Sequence, residues 1–172
     1  MVQPTARTTP TVVVGVVEDQ SSAVVRTVAQ LAASWRALVI CAHVDTTRFV
    51  TGKNPDGSVT SAPIDSDLDD DSPAPFPDRA VAAFEVAFTR AGVAWETCEL
   101  VGDPAQALAD LADRTDAVMI VVGTRRPGFR GAMAEFFYGS VAVRLAHRQH
   151  RPVLVVPQAP ATDGVLPWEG LA

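Results

Sequence analysis

Apolar positions along the chain fall into two rhythms. Residues 11–17 (TVVVGVV), 37–44 (ALVICAHV), 117–122 (AVMIVV) and 152–156 (PVLVV) are short, nearly continuous apolar runs rich in β-branched side chains, the pattern of strands covered on both faces. A further strand is expected over residues 93–100. Between these runs apolar residues recur at helical spacing. Val24, Val25, Val28, Leu31 and Ala32 predict a helix opened by the hydroxyls of Ser21 and Ser22 and running to about residue 34. Val81, Phe84 and Phe88 mark a second helix, capped by Asp78, stopped by Gly92 and burying both phenylalanines. A third begins at Asp103 as cap with Pro104 in the first helical position, and runs to about residue 113. A fourth opens at Gly139 and Ser140 and ends near residue 149.

Strand and helix therefore alternate, and each parallel return needs a crossover, so the expected fold is α/β: a five-stranded parallel sheet, doubly wound with helices on both faces. At 172 residues the chain suits a single domain. The expected organisation is a disordered N-terminal arm over residues 1–10, the domain over 11–157 and a C-terminal tail over 158–172. Within the domain, residues 46–77 turn abruptly to Asp, Pro, Ser, Gly and Thr and include the run DSDLDDD. Like charges repel there and few apolar groups are present, which predicts an acidic mobile loop. Sheets of this kind bind ligands beyond the carboxyl ends of the strands, where strand order reverses, so function is sought after the first and fourth strands.

Charge narrows the partners. A formal net charge of −6 argues against nucleic acid, whose phosphates call for a basic surface. No apolar run approaches the roughly 20 residues of a spanning helix and the N-terminus has no apolar signal stretch, so the expected location is the cytoplasm, away from membranes. The two cysteines, Cys41 and Cys98, sit in separate strand-like segments without a CxxC or Cys/His cluster, which predicts buried free thiols and no metal site.

The most informative segment follows the fourth strand and reads GTRRPGFRGAMAEFFYGSV. Gly123, Gly128, Gly131 and Gly139 let a backbone approach a ligand closely. Thr124 and Arg125 follow the strand end directly. Ser140 and Val141 begin the next helix, whose exposed N–H groups and dipole favour an anion, with Arg125, Arg126 and Arg130 nearby in sequence. The same residues also suit a plain loop in which the glycines only turn, Ser140 only caps and the arginines are solvated.

The order of elements, the GDP after the third strand of the sheet, VVGTR at the fourth, and GSV followed by a helix and RPVLVVP together resemble the universal stress protein family over residues 11–157. The resemblance implies an adenine-nucleotide alpha-hydrolase-like fold and a regulatory module binding ATP or another adenine nucleotide, with Mg only where nucleotide is bound. It also implies a homodimer built through the last strand. Carried over residue by residue, Val16 and Val17 would line the base, Val44 would contact adenine through its backbone, and Gly139, Ser140 and Val141 would hold phosphate. ATP-binding relatives carry an Asp at the end of the first strand and space their loop as G, two residues, G, nine residues, then G and S or T. Here Val17 stands in place of the Asp, with Glu18 and Asp19 behind it. Gly128 and Gly131 keep the first spacing, but seven residues separate Gly131 from Gly139. An alternative is therefore a member that has lost nucleotide binding and acts through contacts with an unknown protein partner; a third reading is a weak ATP hydrolase.

Catalytic residues are not expected. The chain lacks GxGxxG after the first strand, GxxxxGK[ST] and GxSxG. His43 lies within a strand, and His147 and His150 sit near a helix C-terminus, where a cation complements the dipole. A receiver domain, which VVED brings to mind, needs a lysine after the last strand, whereas Lys53 is the only lysine.

Overall fold

The computed structural model describes residues 9–55, 58–65, 74–124 and 141–157. The elements run β1 (Thr11–Val16), α1 (Ser22–Trp35), β2 (Leu38–Asp45), β3 (Arg48–Lys53), β4 (Val59–Pro63), α2 (Asp78–Ala91), β5 (Trp95–Val101), α3 (Pro104–Arg114), β6 (Met119–Gly123), α4 (Val141–Arg148) and β7 (Val153–Val156). Five of the strands form one parallel sheet in the order β5-β2-β1-β6-β7, so β1 is central and lies between β2 and β6. Alternation along β1 sends Val12, Val14 and Val16 into one core and Val13 into the other. The first core joins these valines to Val24, Val25 and Val28 of α1 and Phe84 and Phe88 of α2. The second joins Val13, Ile40, Ile120 and Val122 to Leu108 and Leu111 of α3 and Leu145 of α4. Helices thus cover both faces, as the continuous apolar runs require.

The helix ends follow their local chemistry. Ser21 caps α1 by accepting from the Ala23 N–H, and Asp103 caps α3 by accepting from the Gln106 N–H, with Pro104 in the first turn. Asp78 is not the cap expected of it. The cap position of α2 is Pro77, which makes no side-chain bond, and Asp78 is the first helical residue, where its carboxylate complements the dipole. Gly92 ends α2 in the left-handed conformation, φ 63°. Arg36 ends α1 in the same conformation, φ 52°, where a residue with a Cβ is strained by about 1–2 kcal/mol.

The segment expected as one acidic loop holds a hairpin instead. β3 and β4 pair antiparallel, with Phe49 opposite Ala62 and Val50 opposite Ser61, and the Asn54 N–H donates to the Ser58 carbonyl. Averaged over more than thirty residues, the polar composition hid the short β-forming runs RFV and VTS and the turn-forming NPDG between them. Arg48 is buried and donates to the Ser61 hydroxyl and carbonyl, which holds the two strands together. Lys53 reaches Asp110 of α3 at 2.5 Å, and a side chain on Gly102 would meet Val50 at 3.3 Å, so the hairpin rests on the β5–α3 corner. Of the run DSDLDDD, Asp65 is described; residues 66–73 lie outside the described residues.

Candidate functional site

The sheet reverses direction at β1. From it the chain moves outward through β2 to β5, then returns to the other side for β6 and β7. β1 and β6 are therefore parallel neighbours, with Val14 opposite Val121, and their carboxyl ends form the switch point at which such sheets bind ligands. Gly15 sets how closely the two strands and α3 approach. A Cβ there would stand 3.1 Å from Leu108 Cδ1 and 3.3 Å from Val122 Cγ1, a close-packing role that a glycine inside an otherwise β-branched strand signals.

Of the residues expected at this site, Val16, Val17, Val44, Gly123, Thr124 and Val141 are described. Arg125, Gly128, Gly131, Gly139 and Ser140 lie outside the described residues. Val16 is 4% exposed, so its side chain belongs to the core and does not line a surface. Its carbonyl accepts from His43 Nδ1–H at 3.1 Å. Val17 stands at the strand end, 52% exposed, and its N–H donates to Gln20 Oε1 at 3.0 Å. Val44 is half-buried on β2, opposite Leu100 of β5. Gly123 closes β6 opposite Val156, and the Thr124 N–H donates to the Val156 carbonyl. Val141 begins the described part of α4 and packs on the second core. The fold thus brings the ends of β1 and β6 together, with Val44 one strand away.

Several residues outside that set shape the same rim. The segment 74–77 is tied across the strand ends: the Ala74 N–H donates to Asp45 Oδ2 and the Phe76 N–H to Glu99 Oε1. Phe76 is buried in the first core and sets its ring edge-on to His43 at 6.0 Å. Asp45, 4% exposed, also accepts from the Thr47 N–H and hydroxyl. Burial alone pushes its carboxyl up, but the Ala74 N–H, the two Thr47 donors and the Arg48 charge outweigh burial and hold the pKa below the ordinary carboxylate value. Nothing in the local sequence marks this strap, because its partners are 29 and 23 residues away. Beside the β1 end, Glu18, Asp19, Gln20, Arg79 and Ala80 line a hollow of about 170 Å³, below the ~300 Å³ typical of small-ligand pockets. Gln20 Nε2 is buried there without a hydrogen-bond partner.

Electrostatics at α4 favour structure. Arg144 pairs with Asp103 at 2.5 Å and Arg148 donates to Gln106, which in turn donates to Asp110, so these cations tie α4 to α3. The thiols are poor nucleophiles. Burial pushes Cys41 up to about 12, and Cys98 is raised as well, by burial first and then by Glu96 and Glu99, against the opposing charge of Arg114. Cys98 is only partly buried, against the full burial expected of it, because β5 is an edge strand. Among the described residues no group of three or more His, Cys, Asp or Glu side chains is placed to hold a metal ion, and no helix is long and apolar enough to cross a membrane.

Comparison with known proteins agrees with this geometry. A universal stress protein in complex with cAMP is 25% identical, covering 88% of this chain and 98% of its own, with a TM-score of 0.53. A universal stress protein from Archaeoglobus fulgidus is 19% identical over 86% of this chain and 93% of its own, with a TM-score of 0.51. A universal stress protein family protein from Arabidopsis thaliana with AMP bound is 14% identical over 92% and 98%, with a TM-score of 0.52. The last two likenesses speak to fold alone. No curated protein matches the sequence. The model of the universal stress protein family matches residues 9–157, which takes in every strand and helix described above, and the chain belongs to that family.

Proposed function

We propose that this chain is a regulatory module that binds an adenine nucleotide where β1 and β6 end, and that it has no catalytic machinery of its own. The observation that carries the reading is the parallel pairing of β1 with β6 at the reversal of strand order, with β6 closing on Gly123. The cAMP complex of a protein with the same fold at 25% identity supports it. Phosphate would be held by the chain between Gly123 and Val141 and by the start of α4, and Mg would enter only with that phosphate. The module works in the cytoplasm, where free thiols such as those of Cys41 and Cys98 persist.

A second reading, loss of nucleotide binding in favour of protein contacts, is favoured by one specific feature. Two main-chain groups at the β1 end already have partners, the Val16 carbonyl in His43 and the Val17 N–H in Gln20, and Val17 offers no carboxylate. Calorimetric titration with ATP, ADP and cAMP separates the two readings. Binding at 100 times the dissociation constant raises unfolding stability by about 2.7 kcal/mol. Val17→Asp, at an exposed position, should tighten ATP about tenfold through one charge-assisted hydrogen bond. Binding to Val17→Asp but not to the wild type establishes the second reading; binding to neither removes the nucleotide assignment altogether. Release of phosphate from ATP faster than in buffer would instead favour the weak hydrolase.

We also propose a homodimer through β7. This strand has β6 on one side and no other strand beside it among the described residues, and Val155 is 41% exposed, an edge that pairing with a second copy would cover. Light scattering at micromolar concentration should give twice the monomer mass, and Val155→Pro, which interrupts edge pairing, should give the monomer.

A further inference from the structure

The geometry points to a second ligand site at the opposite pole of the sheet, a hollow that takes an aromatic monocarboxylate between Trp35 and Arg36. The hollow has a volume of about 830 Å³, within the ~300–1,000 Å³ range of small-ligand sites. It lies where β1, β6 and β7 begin and α1 ends, so it shares no described residue with the strand-end rim. Pro10, Val118, Met119 and Pro152 supply apolar walls. Those walls are fixed by main-chain bonds: the Leu38 N–H donates to the Pro10 carbonyl, the Val118 N–H to that of Thr11 and the Ile120 N–H to that of Pro152, all at 2.8–3.0 Å. Trp35 is 41% exposed and Val118 44% exposed on this surface, and an indole left open in this way is a flat platform for a ring.

Charge selects the ligand class. Among the described residues lining the hollow, Arg36 alone is charged. The described structure gives its guanidinium no ion pair, whereas nearby Arg151 is bonded to Asp113 and the Ala117 carbonyl. An exposed planar guanidinium beside walls that are mostly apolar, with Thr9 and Ser34 the other polar residues of the lining, matches a planar carboxylate on an apolar body, two parallel hydrogen bonds to one anionic group. A polyphosphate would leave most of its charge against apolar surface. The backbone adds an independent observation. α1 and α2 end in the same left-handed cap, yet α2 uses Gly92 while α1 carries Arg36 at φ 52°. The strained residue is one of those that line the hollow.

The test uses the full chain and 2-naphthoate, with 2-naphthalenemethanol as its neutral counterpart. Calorimetry should give a dissociation constant on the order of 10⁻⁴ M for the acid and at least tenfold weaker binding for the alcohol. In a ¹H–¹⁵N spectrum the acid should shift the Trp35 indole N–H, which is assigned by its loss in Trp35→Phe. Arg36→Gly relieves the left-handed strain, so it should melt no lower than the wild type while losing at least tenfold in affinity for the acid. Saturating cAMP should leave the affinity unchanged. Equal binding of acid and alcohol, wild-type affinity in Arg36→Gly, or displacement by cAMP would each overturn the proposal. So would a shift in oligomeric mass on Arg36→Gly without acid binding, which would make this surface a protein contact. Because the site lies at the far pole, its failure leaves the nucleotide reading standing, and the reverse also holds.

Discussion

Phe84→Ala should destabilise the protein by about 3–5 kcal/mol, the cost of removing a buried aromatic ring and leaving a cavity. Phe84 has no exposed surface, and its ring lies 5.2 Å from that of Phe88 and 6.3 Å from that of Trp95. It is the joint between α2 and the outer strand β5, and the neighbouring rings cannot close the gap without leaving their own contacts. Against a total stability of roughly 5–15 kcal/mol, such a loss brings a domain of this size close to unfolding at ambient temperature. Urea denaturation followed by circular dichroism gives the value, with an unchanged slope showing that the native state is otherwise retained. Val86→Ala on the same helix, at a position 70% exposed, should stay within about 0.5 kcal/mol. A loss below about 1 kcal/mol for Phe84→Ala would mean that this core is far more plastic than its packing indicates.

Asp45→Asn should cost about 2–3 kcal/mol at neutral pH, although the two side chains have nearly the same shape. The carboxylate accepts from three donors, the Thr47 N–H, the Thr47 hydroxyl and the Ala74 N–H. An amide places its NH₂ against at least one of them, donor facing donor, in a buried site. The effect should depend on pH in a stated direction. The folded-state pKa of Asp45 is held below its ordinary value of 3.8, so the stabilisation is complete above that value and is lost as the pH falls through the folded pKa. Urea midpoints measured from about pH 6 to pH 2 should therefore converge for the wild type and Asp45→Asn at the acid end. Hydrogen exchange should show the loss first at the amides of Ala74 and Phe76, which the strap holds. A constant difference between the two proteins across that pH range would show that the carboxylate charge is not what holds the strap.

Most of the fold was legible because its signals are local. The four apolar runs became strands β1, β2, β6 and β7, since a strand buried on both faces leaves no polar position to confuse its period. Caps at Ser21 and Asp103 and the stop at Gly92 were readable for the same reason. The hairpin was not. Its strands are short, carry several polar side chains and owe their stability to Arg48 reaching Ser61 and Lys53 reaching Asp110. Asp78 looked like a cap by residue type, yet the helix begins one residue earlier than that role allows.

For the site, residue type and order alone placed Val17 and Gly123 at the ends of their strands and so pointed to the rim where strand order reverses. Only the tertiary structure showed that Val16 turns its side chain inward, that His43 and Gln20 already partner two main-chain groups at the β1 end, and that Asp45 and Glu99 pin residues 74–77 across the strand ends. It alone revealed the hollow between Trp35 and Arg36, whose walls come from separate parts of the chain. The physical reason is range. Hydrophobic period, capping and left-handed stops act over a few residues and are written consecutively, whereas a rim or a hollow is made by residues that meet only when the sheet is assembled.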